Sequence, residues 1–336
     1  MPGIVGQGTT FNLPNYVGEL LATTPQDTPF LSAIGGLTGG VSTDSTLFAW
    51  STYDLRDPDH ERQRLEGGDA PAPTARTRQR VRNVVEIHQE VLEVSYTKQA
   101  ATGQLGGTGS NHPHGDALGG ATNPVMDEVD WQVRQHLVQI ARDVEVGFLM
   151  GEFQEPSDNE EPRRTRGLME AIETNAIDAD GEQLSENGGE VLLDLMQQVW
   201  ESGGILEQET ATIMVSGTQK RHLTNAFITQ GNYREASRTV GGVRVDTVMT
   251  DFGELNVMLN RYVPSDTAIV TSLEQCAPRF LAIPGKGHFF VEELAKVGSA
   301  DRYQIYGEIG LEYGNEAAHG KIEGLSTSSP SNGNGS

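Results

Sequence analysis

One stretch of the chain limits what it can fold into more than any other. Residues 46–97 read as two strands around a long polar tip. The first strand is Leu47-Phe48-Ala49-Trp50-Ser51-Thr52-Tyr53. The tip runs from Asp57-Pro58-Asp59-His60 to Gly67-Gly68-Asp69-Ala70-Pro71-Ala72-Pro73, and the second strand from about Thr74 to Tyr96. Alternate residues of a strand share a face, so Arg76, Arg78, Arg80 and Arg82 line one side. That side continues as Val84, Glu86, His88, Glu90, Leu92 and Val94, while Val81, Val85, Ile87 and Val91 line the other. A two-stranded ribbon is marginal in water on its own. Four arginines on one face repel unless carboxylates meet them. The ribbon therefore needs a surface, and another chain is a natural source of it. A solvated strand face is the competing reading.

The segment before the ribbon has the same need. Residues 1–45 contain no Lys or Arg but carry Pro14, Pro25, Pro29 and the pairs Gly35-Gly36 and Gly39-Gly40. Its apolar pieces (Val17, Leu20 and Leu21, then Phe30, Leu31 and Ile34) are one or two helical turns each, too short to be stable alone. These residues read as an arm.

The clearest helix is predicted over about 127–153, after Pro124, with Asp127 as N-cap and acids in its first turn. Val129, Val133, Leu137, Ile140, Val144 and Phe148 form one apolar stripe. Such a length suits a spine. From about 188 the texture alternates: helices at Glu190–Glu201 and Gln219–Thr229, and strands at Thr212–Val215, Val243–Met249, Glu254–Leu259, Ala268–Leu273, Arg279–Ile283 and Arg302–Tyr313. Residues 326–336 are Ser/Gly/Asn-rich and read as a disordered tail.

Charge and cysteine content remove several function classes. The 47 acids against 24 Lys and Arg leave a net charge of −23, the reverse of the basic patches that hold phosphate backbones. The single cysteine, Cys276, rules out a disulfide framework. No apolar run approaches the ~18 residues of a membrane helix, and residues 1–7 lack the features of a signal peptide, so none is expected.

The sequence motifs offer no catalytic constellation. Asp251-Phe252-Gly253 copies a kinase metal triplet without the companion motifs, and reads as a turn. Gly103 to Gly109 and Gly285-Lys286-Gly287 lack the Gly-Lys-Ser/Thr of a phosphate loop. His112 and His114 flank Pro113 in a glycine-rich stretch and read as an exposed loop rather than metal ligands. Cys276 has no histidine partner at a catalytic spacing and reads as buried or incidental. No enzyme activity, cofactor or metal is expected.

An ordered set of short motifs gives a more specific lead. They are Thr28-Pro29-Phe30-Leu31-Ser32-Ala33-Ile34-Gly35-Gly36, Leu55-Arg56-Asp57-Pro58, Glu66-Gly67-Gly68-Asp69-Ala70, Asn83, Val94-Ser95, Asp143-Val144-Glu145 and Arg166-Gly167-Leu168. Further on come Thr250-Asp251-Phe252-Gly253-Glu254-Leu255, Asn260-Arg261-Tyr262-Val263-Pro264, Glu293-Leu294-Ala295-Lys296-Val297-Gly298, Gly307-Glu308, Asn315-Glu316-Ala317-Ala318-His319-Gly320 and Gly324-Leu325. Together, over about residues 25–325, the sequence resembles the SU10-like major capsid proteins of tailed bacteriophages, which have the HK97-type shell fold. The glycine-rich stretch 103–123 is longer than in the family pattern, and Tyr96 stands where that pattern has glycine.

The resemblance implies an α+β, HK97-like capsid fold in these segments: 1–45 N-terminal arm, 46–97 E-loop, 98–187 P-domain with the spine helix, 188–268 A-domain, 269–325 C-terminal P-domain strands and 326–336 tail. It implies self-assembly as hexamers and pentamers into an icosahedral head. That head would enclose double-stranded DNA without sequence-specific binding, and would be assembled in the bacterial cytoplasm with no membrane. A portal is an implied partner, with decoration proteins where the phage has them. Where scaffolding is needed, it would come from a separate protein, since no long helical pre-sequence precedes the arm. A Lys–Asn cross-link, known in the fold, has no mappable pair here, so a non-covalent shell is expected. Candidate intersubunit contacts are Arg76, Arg78, Arg80, Arg82, Trp50, Asp57 and Glu66. Residues 125–187 hold 16 acids and 5 bases, against 9 and 7 in the ribbon, so the acidity concentrates on a segment expected to face packaged DNA. An encapsulin-type nanocompartment shell is the alternative within the fold. A soluble α/β enzyme or binding protein using 188–283 is the alternative outside it.

Overall fold

The computed structural model describes residues 26–53, 55, 58–70, 72–101, 128–186, 189–204, 211–229, 233–240 and 243–328. Most of the arm, Asp57, His112, His114 and Asp127 therefore lie outside the described residues. The chain divides into a larger unit, Thr28–His88, Ala141–Phe290 and Tyr306–Ser336, and a smaller one that includes Gln89–Ile140 and Val291–Ile305.

Fourteen strands are described. In chain order they are β1 (Val41–Thr43), β2 (Leu47–Tyr53), β3 (Arg78–Val84), β4 (Glu86–Ser95), β5 (Ala176–Asp178), β6 (Ala211–Val215) and β7 (Tyr233–Val240). They continue as β8 (Val243–Thr250), β9 (Gly253–Leu259), β10 (Ala268–Ser272), β11 (Ala277–Leu281), β12 (Phe289–Glu293), β13 (Ala300–Glu312) and β14 (Gly320–Glu323).

The larger unit is built on a seven-stranded sheet, β5-β14-β10-β6-β9-β8-β7. Its central strands β6 and β10 are five consecutive buried residues each, as expected where both faces of a sheet are covered. One face meets the helix Glu190–Glu201, whose Leu192, Leu195, Met196 and Val199 join Ile213, Val215, Leu255, Val257, Val270 and Ile322 in a single core. That core also takes in Leu223 and Ala226 of the helix Gly217–Thr229. The sheet crosses the sequence-based boundaries: β5 lies before residue 188, while β14 and nearly all of β10 lie after 268. Residues 188–268 alone would lack three of the seven strands. The first residues of the expected tail are hydrogen-bonded to the rest of the fold. Ser326 N–H donates to Glu182 O at 2.9 Å, and His222 Nε2 lies 2.7 Å from Ser328 O. Residues 329–336 lie outside the described residues.

The long helix spans Glu128–Met150, about 35 Å at ~1.5 Å per residue. Its stripe is half-buried at Val129, Val133 and Leu137 and fully buried at Ile140, Val144 and Phe148. Beyond its C-terminus, Gly151 and Gly167 let backbones touch: a Cβ on Gly167 would lie 2.6 Å from Gly151 N. A second sheet has the order β1-β11-β13-β12, with β4 also paired to β13. In the smaller unit, Arg302 pairs with Glu93 at 3.1 Å and Lys296 with Asp301 at 2.8 Å. The Lys296 contact raises the lysine pKa and lowers that of Asp301.

The segment expected as one strand over 74–96 is two. β3 pairs antiparallel with β2 from Leu47↔Val84 to Tyr53↔Arg78, and β4 leaves the ribbon for the second sheet. The break falls at Val85, where Val84 and Val85 are both buried. The faces of β4 are also inverted relative to simple amphipathicity. Glu86, His88 and Glu90 turn inward while Ile87 and Val91 are about half exposed. The inward carboxylates have partners: Glu86 accepts Thr165 N–H at 3.0 Å, and Glu90 lies 3.6 Å from His136 Nδ1.

Candidate assembly surface

The ribbon is anchored at its root. Trp50 Nε1 donates to Gly314 O at 2.6 Å, and its ring meets Tyr313 edge-on at 4.9 Å and Phe48 stacked at 5.9 Å. A cleft of about 210 Å³ beside it is lined by Ser42, Thr43, Phe48, Ala49, Trp50, Arg279 and Glu312, the last two forming an ion pair. Gly310 permits this approach: a Cβ there would lie 2.5 Å from Val84 O and 2.8 Å from the Phe48 ring. Trp50, a candidate contact between subunits, is thus half-buried against its own chain.

Away from the root, exposure increases. Arg82 pairs with Glu155 at 3.3 Å. Arg76, Arg78 and Arg80 are exposed and form no ion pair among the described residues. The residues of β3 before Asn83 are exposed or half-exposed, so the even-numbered face changes from solvent to core at Val84 without a change of register. At the tip, Glu66 is exposed in a turn closed by Gly68 N–H to Leu65 O at 3.1 Å. The structure brings Arg78, Arg80 and Arg82 onto one strand and leaves Glu66 in the separate tip.

Several motif residues that sequence reasoning left without a role are buried polar joints. Glu145 is fully buried on the long helix and accepts three donors: Phe30 N–H at 3.0 Å, Leu31 N–H at 2.6 Å and Asn260 Nδ2 at 2.6 Å. The two N–H groups are first-turn donors of the helix Pro29–Ile34, which have no acceptor within that helix. One carboxylate therefore ties residues 30–31 of the expected arm to the long helix and to the end of β9. Asn83 is equally buried. Its amide donates to Arg166 O and Leu311 O, and its oxygen accepts from Val84 N–H and Arg166 N–H, all within 3.1 Å.

His319 forms a third joint. Its Nδ1 accepts from Ser272 N–H at 3.2 Å and lies 2.8 Å from Thr271 Oγ1; its Nε2 donates to Tyr313 O at 2.7 Å. Since Ser272 N–H can only donate, the ring hydrogen sits on Nε2. Burial lowers the histidine pKa and keeps the ring neutral. Cys276 is buried, and burial pushes its thiol up to about 12, which leaves it inert. Asp251-Phe252-Gly253 forms the turn between β8 and β9, with Phe252 against Trp200. No helix among the described residues is long and apolar enough to cross a membrane.

This architecture, a mixed helix and sheet body with a long helix and an extended ribbon, is the fold of phage shell subunits. The Cyanophage P-SCSP1u capsid is similar over 95% of this chain and 94% of that one, at 10% identity and a TM-score of 0.60. The Cyanophage A-1(L) capsid asymmetric unit is similar over 93% and 97%, at 11% identity and a TM-score of 0.60. The SrpI encapsulin of Synechococcus elongatus PCC 7942 is similar over 96% and 95%, at 11% identity and a TM-score of 0.58. No curated protein sequence matches the chain. The family model for SU10 major capsid protein matches residues 3–326, and the chain belongs to that family. It is a major capsid protein with the HK97-type fold.

Proposed function

We propose that this chain builds the icosahedral head of a tailed bacteriophage, as hexamers and pentamers around double-stranded DNA. The observation that carries the reading is the ribbon β2–β3, whose exposed Arg78 and Arg80, with Arg76 just ahead of β3, have no ion-pair partner among the described residues. A face of this kind gains by meeting carboxylates on another copy. The segments take the roles of N-terminal arm (1–45), E-loop (46–97), P-domain (98–187 and 269–325), A-domain (188–268) and tail (326–336). The ribbon root at Val84–Val85 supports ending the reach of the E-loop there, ahead of β4. The subunit's role is structural rather than catalytic, in the virion, after assembly in the bacterial cytoplasm. A portal, with scaffolding and decoration proteins where the phage uses them, completes the head. The acidity of the long-helix segment, facing the genome, keeps packaged DNA from binding tightly.

The test is particle formation and content. The purified chain, examined by velocity sedimentation and electron microscopy, should form closed shells, and particles from an infected host should hold DNA and one portal vertex. A small discrete oligomer under all conditions contradicts the reading. Particles filled with an enzyme cargo and lacking a portal replace it with a nanocompartment.

A further inference from the structure

The arginine row of the ribbon has a counterpart of opposite charge on the same chain. After the long helix, residues 154 and 164 form an isolated antiparallel bridge, with Gln154 N–H to Arg164 O at 3.0 Å and the return bond at 3.1 Å. The loop closed by this bridge has Asp158-Asn159-Glu160-Glu161 at its tip, all exposed. Asp158, Glu160 and Glu161 form no ion pair among the described residues; Glu161 accepts only the Gln154 amide, at 2.7 Å. The loop's remaining acid, Glu155, pairs with Arg82.

One rung between the arginine row and this loop is therefore made within the chain. Beyond it, three arginines and three carboxylates are left exposed without ionic partners. Alternate residues on a strand are spaced by about 6.7 Å. Three carboxylates within four residues span up to about 10 Å, which covers the two rungs of that spacing that Arg78 and Arg80 offer on β3.

We propose that the tip Asp158–Glu161 of one copy docks on Arg76, Arg78 and Arg80 of the neighbouring copy. This rests on the reading of the ribbon as an assembly surface and names its partner. The contact is heterologous: loop meets ribbon, and each copy offers both, so the contact repeats around a closed ring. Each exposed pair is weak and screened by salt. A row of pairs repeated at every interface fixes register and direction more than it adds affinity.

Charge exchange in the full chain tests this. Arg78→Glu with Arg80→Glu should lower the fraction of protein in shells at least tenfold by velocity sedimentation, and so should Asp158→Lys with Glu160→Lys. A 1:1 mixture of the two variants should recover shells in part, because opposite charges meet wherever the variants alternate and a five-membered ring leaves one like-charged contact. The quadruple variant should recover them as well. Failure of both rescues, or normal shells from the acidic-loop variant, overturns the docking while leaving the ribbon reading in place. Normal shells from the arginine variant overturn the ribbon reading itself. The thermal transition of each unassembled variant checks folding. If a reversed variant does not fold, Arg78→Gln with Arg80→Gln, and Asp158→Asn with Glu160→Gln, are read the same way.

Discussion

Glu145 and the ribbon arginines use charge in opposite ways. Glu145 lies at zero exposure, and its carboxylate oxygens take up three donors from two parts of the sequence, each more than a hundred residues away from it. Arg78 and Arg80 lie in solvent on the two-stranded ribbon, and Arg76 just ahead of it, away from the root that Trp50 anchors. Buried polar groups with full sets of partners specify one arrangement of the chain, and losing one partner strands the others at full desolvation cost. Exposed charges contribute little to that arrangement. They remain available to a second molecule. The comparison separates residues that make the subunit from residues that make the shell.

The separation can be broken first at Glu145. Glu145→Ala leaves Phe30 N–H, Leu31 N–H and the Asn260 amide without their acceptor, and should destabilise the subunit by about 3–5 kcal/mol in denaturant unfolding. A loss below about 1 kcal/mol would show that water or neighbours replace the carboxylate. Asn83→Ala removes four hydrogen bonds between the ribbon root, Arg166 and Leu311, and should cost about 2–4 kcal/mol by the same measurement.

His319 supplies a pH-dependent version of the same test. Its folded pKa lies below its ordinary value of 6.5, so the unfolded chain binds the proton more tightly. Its contribution is fully present above pH 6.5 and is lost as pH falls from there to the folded pKa, at up to about 1.4 kcal/mol per pH unit. His319→Gln should be less stable at neutral pH and show a flatter profile as pH falls below 6.5. An unchanged slope would place the acid sensitivity elsewhere. The smallest effect belongs to the ribbon. Arg78→Glu with Arg80→Glu should shift subunit stability by no more than about 0.5 kcal/mol, and a larger loss would mean that the row serves folding.

The periodic elements were legible in the sequence. Strand β2 falls on the expected residues, and the long helix begins and ends within three residues of its expected limits. What escaped depends on contacts between distant segments. Strands β5 and β14 have three and four residues, too few for a periodic pattern, and become strands because β10 pairs β14 and β14 pairs β5. Glu86 and Glu90 share a strand face with Leu92 and Val94 in the sequence, and their partners Thr165 and His136 come to them only in the fold. Glu145 follows Val144 on an amphipathic helix and looks like any surface acid; only the motif comparison marked it, without a reason. On the candidate surface, the alternation of arginines was visible, whereas Trp50 needed the fold to show that Gly314 and Tyr313 hold it.

The central claim is that the ribbon beyond its root serves assembly and not folding. Replacing residues 54–77, which lie past the last β2–β3 pair Tyr53↔Arg78, with a two-residue Asn-Gly turn tests it most directly. The unassembled variant should melt within a few degrees of the parent chain, and velocity sedimentation should show no closed shells. Normal shells from the shortened chain, or loss of the cooperative melting transition, would contradict the account.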